Sequence, residues 1–137
     1  MKLVWNNTTK HKLSSYKSVA KLHLDDVVAH CKCEQTTVAI TMVSRRKSKQ
    51  LNADYRGIHE ATDVLTFVGD ETYLGDIIIC YDVVVERART HQQTTEQYMS
   101  FCIVHGLLHA VGYDHQTETD YDTMMELQQQ LIERRLQ

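Results

Sequence analysis

Three histidines fall within one eleven-residue window, and their spacing constrains the local fold more than any other feature of the chain. His105 and His109 are four residues apart, so on a helix their side chains share one face, one turn apart. His115 lies far round an ideal helix and can join them only if the helix ends first. Gly112 is placed to end it, because glycine accepts the left-handed conformation of a helix stop. The window therefore predicts a helix that ends near Gly112 and a chain that turns back.

Histidines arranged in this way predict a metal site. Three neutral imidazoles on one point, with a fourth position open, are the ligand set of a catalytic zinc ion. We therefore expect one zinc per chain, held by His105, His109 and His115. Imidazole also suits nickel, iron and copper, so the metal is less well defined than the site. The residues flanking the first two histidines are largely apolar, and unligated histidines on a half-buried helix would be costly.

The histidine spacing is also that of the metzincin metalloproteases. Those enzymes carry a glutamate directly after the first histidine, which serves as the general base. The corresponding residue here is Gly106, which has no side chain. This difference argues against peptide hydrolysis by their mechanism. Asp114 is a nearby carboxylate that could replace the base or could orient a metal ligand through a hydrogen bond.

Length and composition are those of one globular domain spanning residues 1–137. Apolar residues make up 42% of the chain and charged residues 24%, which argues against disorder. Uninterrupted apolar runs are only a few residues long, so neither a transmembrane helix nor a signal peptide is expected. A cytoplasmic location follows as the default, in which the four cysteines should be reduced.

Charge is distributed unevenly between the two parts of the chain. Residues 1–56 have a balance of +7, and residues 57–137 have a balance of −10. Such asymmetry is a hint of contact with a polyanion through the first part. The basic residues Arg45, Arg46, Lys47 and Lys49 would hold a nucleic-acid backbone there, although a solvated helix face explains them equally well.

Periodicity and turn residues predict an α+β domain. Strands are expected over residues 2–6, 36–43, 64–68 and 73–80, which form a mixed four-stranded sheet. About five helices are expected to pack with it, over residues 15–31, 45–55, 82–91, 94–111 and 118–136. Helices and strands do not alternate strictly, which favours this class over a doubly wound α/β fold.

Several sequence segments together resemble one known family. The residues HGLLHAVGYDH closely resemble the HGxLHLxGYDH signature of the YbeY family of bacterial metal-dependent endoribonucleases. Segments similar to its LNxxYRG, TDVLSF and LGDI motifs begin at Leu51, Thr62 and Leu74. Order and approximate spacing agree over roughly residues 36–130. The family usually has proline where this chain has Ala61 and Val68.

The resemblance implies a function as well as a fold. Family members are single-strand-specific endoribonucleases linked to maturation of the 3′ end of 16S ribosomal RNA and to quality control of late 70S ribosomes. The ligands carried over are His105, His109 and His115, and the family's functional arginine falls on Arg56. We expect Arg56 and His105 to act in catalysis, with zinc-bound water or hydroxide attacking the scissile phosphodiester.

The expected partners follow from the same resemblance. They are single-stranded RNA, in particular 16S rRNA in ribosomal particles, with ribosomal proteins or assembly GTPases as further candidates. Neither a membrane nor DNA is expected. Two alternatives stay open at this point: another zinc-dependent hydrolase, such as a divergent peptidase, and a non-catalytic ribosome assembly factor with a structural zinc. For Arg56, the alternative role is that of a structural ion-pair partner.

Overall fold

A computed structural model describes residues 1–113 and 117–136 of the chain. The described residues form four strands and five helices, as predicted. The strands are β1 (Lys2–Asn7), β2 (Thr37–Val43), β3 (Val64–Val68) and β4 (Tyr73–Cys80). The helices are α1 (Ser15–Cys31), α2 (Arg45–Arg56), α3 (Tyr81–Thr90), α4 (Thr95–Ala110) and α5 (Glu118–Leu136).

The four strands form one mixed sheet in the order β1-β2-β4-β3. Strands β1, β2 and β4 are parallel to one another, and β3 is antiparallel to β4 at one edge. In the β3–β4 register, Val64 is opposite Ile79 and Thr66 is opposite Ile77. The predicted α+β class with a mixed four-stranded sheet is therefore confirmed.

Helix α4 lies in the centre of the core and is apolar on most of its sides. The Thr94 side chain accepts a hydrogen bond from the Gln97 amide at 3.1 Å, and the Gln97 side chain accepts one from the Thr94 amide at 2.9 Å. This capping box satisfies two backbone donors that would otherwise lack partners at the helix start. The helix is then held by fully buried side chains that face the sheet and the other helices: Met99, Cys102, Ile103, Val104, Leu107 and Leu108.

Gly106 allows α4 to lie close against the sheet. A Cβ atom at this position would approach the Cγ2 atom of Ile77, in β4, to 2.6 Å. A side chain here would force either the fully buried Ile77 side chain or the helix itself to shift, because a close-packed core leaves little room for added atoms. Gly106 therefore sets the depth at which α4, with its histidines, sits against the sheet.

Two glycines end helices that carry predicted site residues. Gly57 has φ of 69° and donates its amide to the Ala53 carbonyl, so α2 continues through Arg56, one residue beyond the predicted end. Gly112 has φ of 112° and follows the last turn of α4. Both conformations are of the kind that favours glycine. The predicted helix stop at Gly112 is confirmed.

None of the helices in residues 1–113 and 117–136 combines the length and the apolar character needed to cross a bilayer.

Candidate active site

His105 and His109 lie side by side in the last two turns of α4. Their ring centroids are 5.5 Å apart and the ring planes are inclined by 60°. Both side chains are half-buried, and both line a cleft of about 380 Å³. Arg56 lines the same cleft from the end of α2. The remaining lining residues come from β3 and the turn before it: Thr62, Asp63, Val64, Leu65 and Thr66.

A buried glutamine sets the orientation of the first histidine. The Oε1 atom of Gln128, in α5, lies 3.2 Å from Nδ1 of His105, and its Nε2 atom donates to the Phe101 carbonyl at 3.4 Å. Because that second bond fixes which end of the amide faces the ring, the oxygen faces His105 and Nδ1 is the donor. A neutral imidazole with its proton on Nδ1 carries its lone pair on Nε2. This tautomer suits a metal ligand.

The third predicted ligand, His115, lies outside the described residues, as does Asp114. Within residues 1–113 and 117–136, no group of three histidine, cysteine or carboxylate side chains gathers around one point. The structure thus brings His105 and His109 together. Two half-buried imidazoles, one of them held in a fixed tautomer, fit the donor set expected for zinc, nickel or iron.

Arg56 is held at the cleft by a turn that folds back along α2. The Oγ atom of Ser48 donates to the Thr62 carbonyl and accepts from the Thr62 amide, both at 2.9 Å. One turn further along, the Nδ2 atom of Asn52 donates to the Glu60 carbonyl at 2.8 Å. Ser48 and Asn52 are each only 2% exposed. These bonds hold α2 against the segment that leads into β3, at its first turn and again one turn later.

No described carboxylate forms an ion pair with Arg56. The ion pairs among the described residues join His11 to Asp82, Lys21 to Asp25, Arg45 to Glu86 and Arg87 to Asp63. The Arg56 side chain is exposed at the mouth of the cleft. A structural ion pair, the alternative role for this arginine, therefore has no partner in the described part of the chain.

Asp63 lines the cleft, but its carboxylate is already occupied. Oδ2 accepts from the Tyr98 hydroxyl at 2.7 Å and lies 2.9 Å from Nη1 of Arg87. Oδ1 accepts from the Val64 amide at 2.7 Å and from the Thr62 hydroxyl at 3.2 Å. Burial acts to raise the pKa of Asp63, but the Tyr98 hydroxyl and the Arg87 charge outweigh it and hold the pKa below its usual value. Asp63 is therefore a charged structural group and a poor proton acceptor.

Gly106, which occupies the position of the metzincin general base, has no room for a side chain in this fold. A side chain at Gly106 would meet Ile77 in the core, so a glutamate there would disrupt the packing of α4 on β4. The sequence shows only that Gly106 lacks the carboxylate of the metzincin base. The structure adds the physical reason, which is that Ile77 occupies the space a side chain would need.

The four basic residues near the start of α2 are exposed, but one of them is already paired with a carboxylate. The Arg45 guanidinium bonds to the Glu86 carboxylate in α3 at 2.5 Å, and this bond raises the pKa of Arg45. Arg46, Lys47 and Lys49 are also exposed, and none of them forms an ion pair with a described residue. Three of the four basic residues are therefore available to bind a polyanion.

Sequence reasoning missed the contact between Gln128 and His105. The signal was present: Gln128 follows Met124 by four residues and precedes Leu131 by three, so it falls on the apolar face of the final helix. It is 1% exposed. A polar residue at a buried helical position needs hydrogen-bond partners, and this one finds them on α4.

Fold and cleft together define a small α+β protein whose central helix presents paired histidines opposite an arginine. A sequence model of one family, described as Endoribonuclease YbeY, matches residues 3–135 of this chain. The chain belongs to the YbeY family. The match includes residues before 36, where the motifs alone carried little resemblance.

Individual relatives agree with this assignment. The chain is 36% identical over 118 residues to Endoribonuclease YbeY of Limosilactobacillus reuteri (strain DSM 20016), covering 73% of this chain and 74% of the relative. It is 33% identical over 115 residues to Endoribonuclease YbeY of Thermosipho melanesiensis, covering 82% and 83%. The solution structure of TM1509 from Thermotoga maritima superposes with a TM-score of 0.70 at 29% identity, covering 96% of this chain and 87% of that one.

Proposed function

We propose that this protein is an endoribonuclease that cuts single-stranded RNA, and that it acts in 16S rRNA 3′-end maturation and in quality control of late 70S ribosomes. Family membership supports the endoribonuclease role. The observation that carries the proposal is the meeting of Arg56, His105 and His109 in one cleft. Two imidazoles that can bind a metal and a cation that can bind phosphate are the groups that phosphodiester cleavage needs.

The proposed cofactor is one zinc ion per chain, held by His105, His109 and His115, with nickel or iron as alternatives. When bound, zinc would act as a Lewis acid on a phosphoryl oxygen and would make water acidic enough to supply a nucleophile near neutral pH. The Gln128 oxygen, by accepting from Nδ1 of His105, keeps the other ring nitrogen available for the metal. This contact supports His105 as a metal ligand, and the catalytic part proposed for His105 is to hold that metal.

Arg56 is proposed to bind the scissile phosphate. A guanidinium can donate two parallel hydrogen bonds to phosphate oxygens and can stabilise the negative charge that grows on them during cleavage. The position of Arg56 at the cleft mouth, without an ion-pair partner in the described chain, leaves its donors available to a substrate. The pairing of Asp63 with Arg87 also reduces the repulsion that a bare carboxylate would exert on a phosphate in the cleft.

The partners proposed are single-stranded RNA, above all 16S rRNA in ribosomal particles, with ribosomal proteins or assembly GTPases as protein contacts. A cytoplasmic location follows from that substrate. The exposed residues Arg46, Lys47 and Lys49 would contribute phosphate contacts, which predicts that binding weakens steeply as salt is raised.

The proposal is tested by incubating the purified chain with single-stranded RNA, duplex RNA and casein, with and without a metal chelator. The expected result is cleavage of the single-stranded RNA alone, lost with the chelator. Cleavage of casein would favour the divergent peptidase. Firm RNA binding with no cleavage at any metal loading would favour a non-catalytic assembly factor with a structural zinc.

A further inference from the structure

The outer edge of β3 has no strand partner among the described residues. This strand pairs with β4 on one side only, because the sheet order places it last. An edge strand presents unpaired backbone donors and acceptors along its free side. The first three residues of β3, Val64, Leu65 and Thr66, line the cleft together with His105 and His109, so this edge strand borders the cleft.

The register shows which amides point outward. The Cys80 amide donates to the Asp63 carbonyl at 2.9 Å, and the Gly69 amide donates to the Leu74 carbonyl at 3.0 Å. Directly opposed residues in an antiparallel pair alternate between bonded and non-bonded positions. Residues 63, 65, 67 and 69 therefore bond to β4, and the amides of Val64, Thr66 and Val68 point to the free edge.

The outward amides have different surroundings. The Val64 amide donates to Oδ1 of Asp63 at 2.7 Å. This bond agrees with the register, which places the Val64 amide on the side away from β4. The Thr66 amide has no acceptor among the described residues. The Thr66 hydroxyl lies 3.5 Å from the Gly106 carbonyl, so Thr66 is next to the histidine-bearing turn of α4. Val68 points the same way, but it is 68% exposed and does not line the cleft.

We propose that the Thr66 amide is a substrate-binding group that donates a hydrogen bond to a phosphate oxygen of single-stranded RNA in the cleft. The inference rests on the proposed function, because it takes the ligand to be RNA. A backbone amide held in a strand has a fixed direction and needs no reorganisation on binding. The Thr66 amide would complement the Arg56 guanidinium, which supplies positive charge but is carried by a flexible side chain. Contacts of this kind fix the position of the backbone without reading the bases.

Proline substitution removes one outward amide while leaving the ladder to β4 intact. Proline is tolerated on an edge strand where the missing N–H faces solvent. Thr66→Pro removes the proposed donor, Thr66→Val keeps it but loses the hydroxyl, and Val68→Pro is the matched control outside the cleft. All three variants are first checked for parental circular dichroism and melting temperature.

The expected result is that Thr66→Pro lowers kcat/KM on single-stranded RNA at least tenfold relative to Thr66→Val, since a lost hydrogen bond to a charged group has about this effect. Val68→Pro should stay within about twofold of the parental chain. Equal rates for Thr66→Pro and Thr66→Val in folded proteins would overturn the inference.

A measurement on the unaltered chain keeps the inference testable if Thr66→Pro fails to fold. The backbone amide signals are followed by NMR while a short 2′-O-methyl single-stranded RNA is added, and the RNA is checked for integrity afterwards. The Thr66 amide proton should shift downfield and exchange more slowly with solvent, whereas the Val68 amide should change little. Bound RNA with an unmoved Thr66 signal would overturn the inference alone, and a chain that neither binds nor cuts RNA would overturn the proposed function with it.

Discussion

The hydroxyl of Ser48 forms two hydrogen bonds with the backbone of Thr62, donating to its carbonyl and accepting from its amide, each at 2.9 Å. Both residues are buried, so these bonds are shielded from water. They join the first turn of α2 to the segment that enters β3, and both α2 and that segment contribute residues to the cleft. The relative position of Arg56 and the two histidines therefore depends on this contact.

Ser48→Ala should leave both backbone groups of Thr62 without a partner and lower the free energy of unfolding by about 1–3 kcal/mol. It should also slow RNA cleavage at temperatures where the protein is folded, because Arg56 loses its alignment. Ser44→Ala is the matched control: it removes the cap bond to the Lys47 amide at the start of the same helix, one turn before Ser48, at a cost of about 1 kcal/mol. Equal cleavage by both variants, measured alongside urea unfolding, would show that the contact is structural only.

Arg56→Ala should retain its metal, unfold close to the parental temperature and cleave single-stranded RNA at least tenfold more slowly. Losing one hydrogen-bond donor to a developing oxyanion costs on the order of 3 kcal/mol. Arg56→Lys should recover only part of the rate, since an ammonium group cannot donate two parallel bonds. Arg89→Ala, at an exposed arginine on α3, controls for the loss of one positive charge. An Arg56→Ala protein that melts early or loses metal would make this arginine structural.

Gln128→Leu should weaken metal binding by about 10- to 100-fold, because His105 loses the acceptor that fixes its tautomer. The apparent metal affinity is measured by competition with a chelator, without reference to activity. Gln130→Leu changes an exposed glutamine on the same helix and should leave the affinity unchanged. Parental affinity in a folded Gln128→Leu protein would mean that the hydrogen bond to His105 has no part in metal binding.

Asp63→Asn should reduce stability most at neutral pH. The folded-state pKa of Asp63 lies below its usual value because the opposing effect of burial is outweighed by Tyr98 and Arg87. A depressed carboxyl pKa contributes stability above the unfolded value of about 3.9, and this contribution is lost as pH falls through the folded value. The difference in unfolding free energy between the parental chain and the variant should therefore shrink below about pH 4. A difference that stays constant from pH 7 to pH 3 would contradict the account.

The order of elements was predictable because local signals agreed with the tertiary packing. The capping box at Thr94, the cap at Ser44 and the glycines at 57 and 112 mark helix ends by backbone chemistry that acts within a few residues. Most boundaries shifted by one residue or none. The extension of α2 to Arg56 came from Gly57, which lies one residue beyond the last helical position.

Residue spacing made the candidate site predictable only where its residues share one element, whereas Arg56, on another helix, entered through the resemblance to the YbeY family. The spacing of His105 and His109 places them on one helix face whatever surrounds that helix. By contrast, the contacts of Gln128 with His105, of Asp63 with Tyr98 and Arg87, and of Ser48 with Thr62 join residues distant in the chain. Such contacts depend on how α4, α5 and the sheet pack, and no local pattern specifies that packing. The need for glycine at position 106 likewise depends on tertiary packing, because it arises from the closeness of α4 to Ile77 in β4.

The central claim is that the cleft shared by His105, His109 and Arg56 cuts single-stranded RNA. It is tested most directly by the rate at which the purified chain and its His109→Ala variant cleave an end-labelled single-stranded RNA under identical conditions. The account predicts cleavage by the parental chain and a loss of about a hundredfold or more in a variant that retains parental circular dichroism, because a metal ligand is removed. Equal rates for the two proteins, or no cleavage by the parental chain with its metal bound, would contradict it.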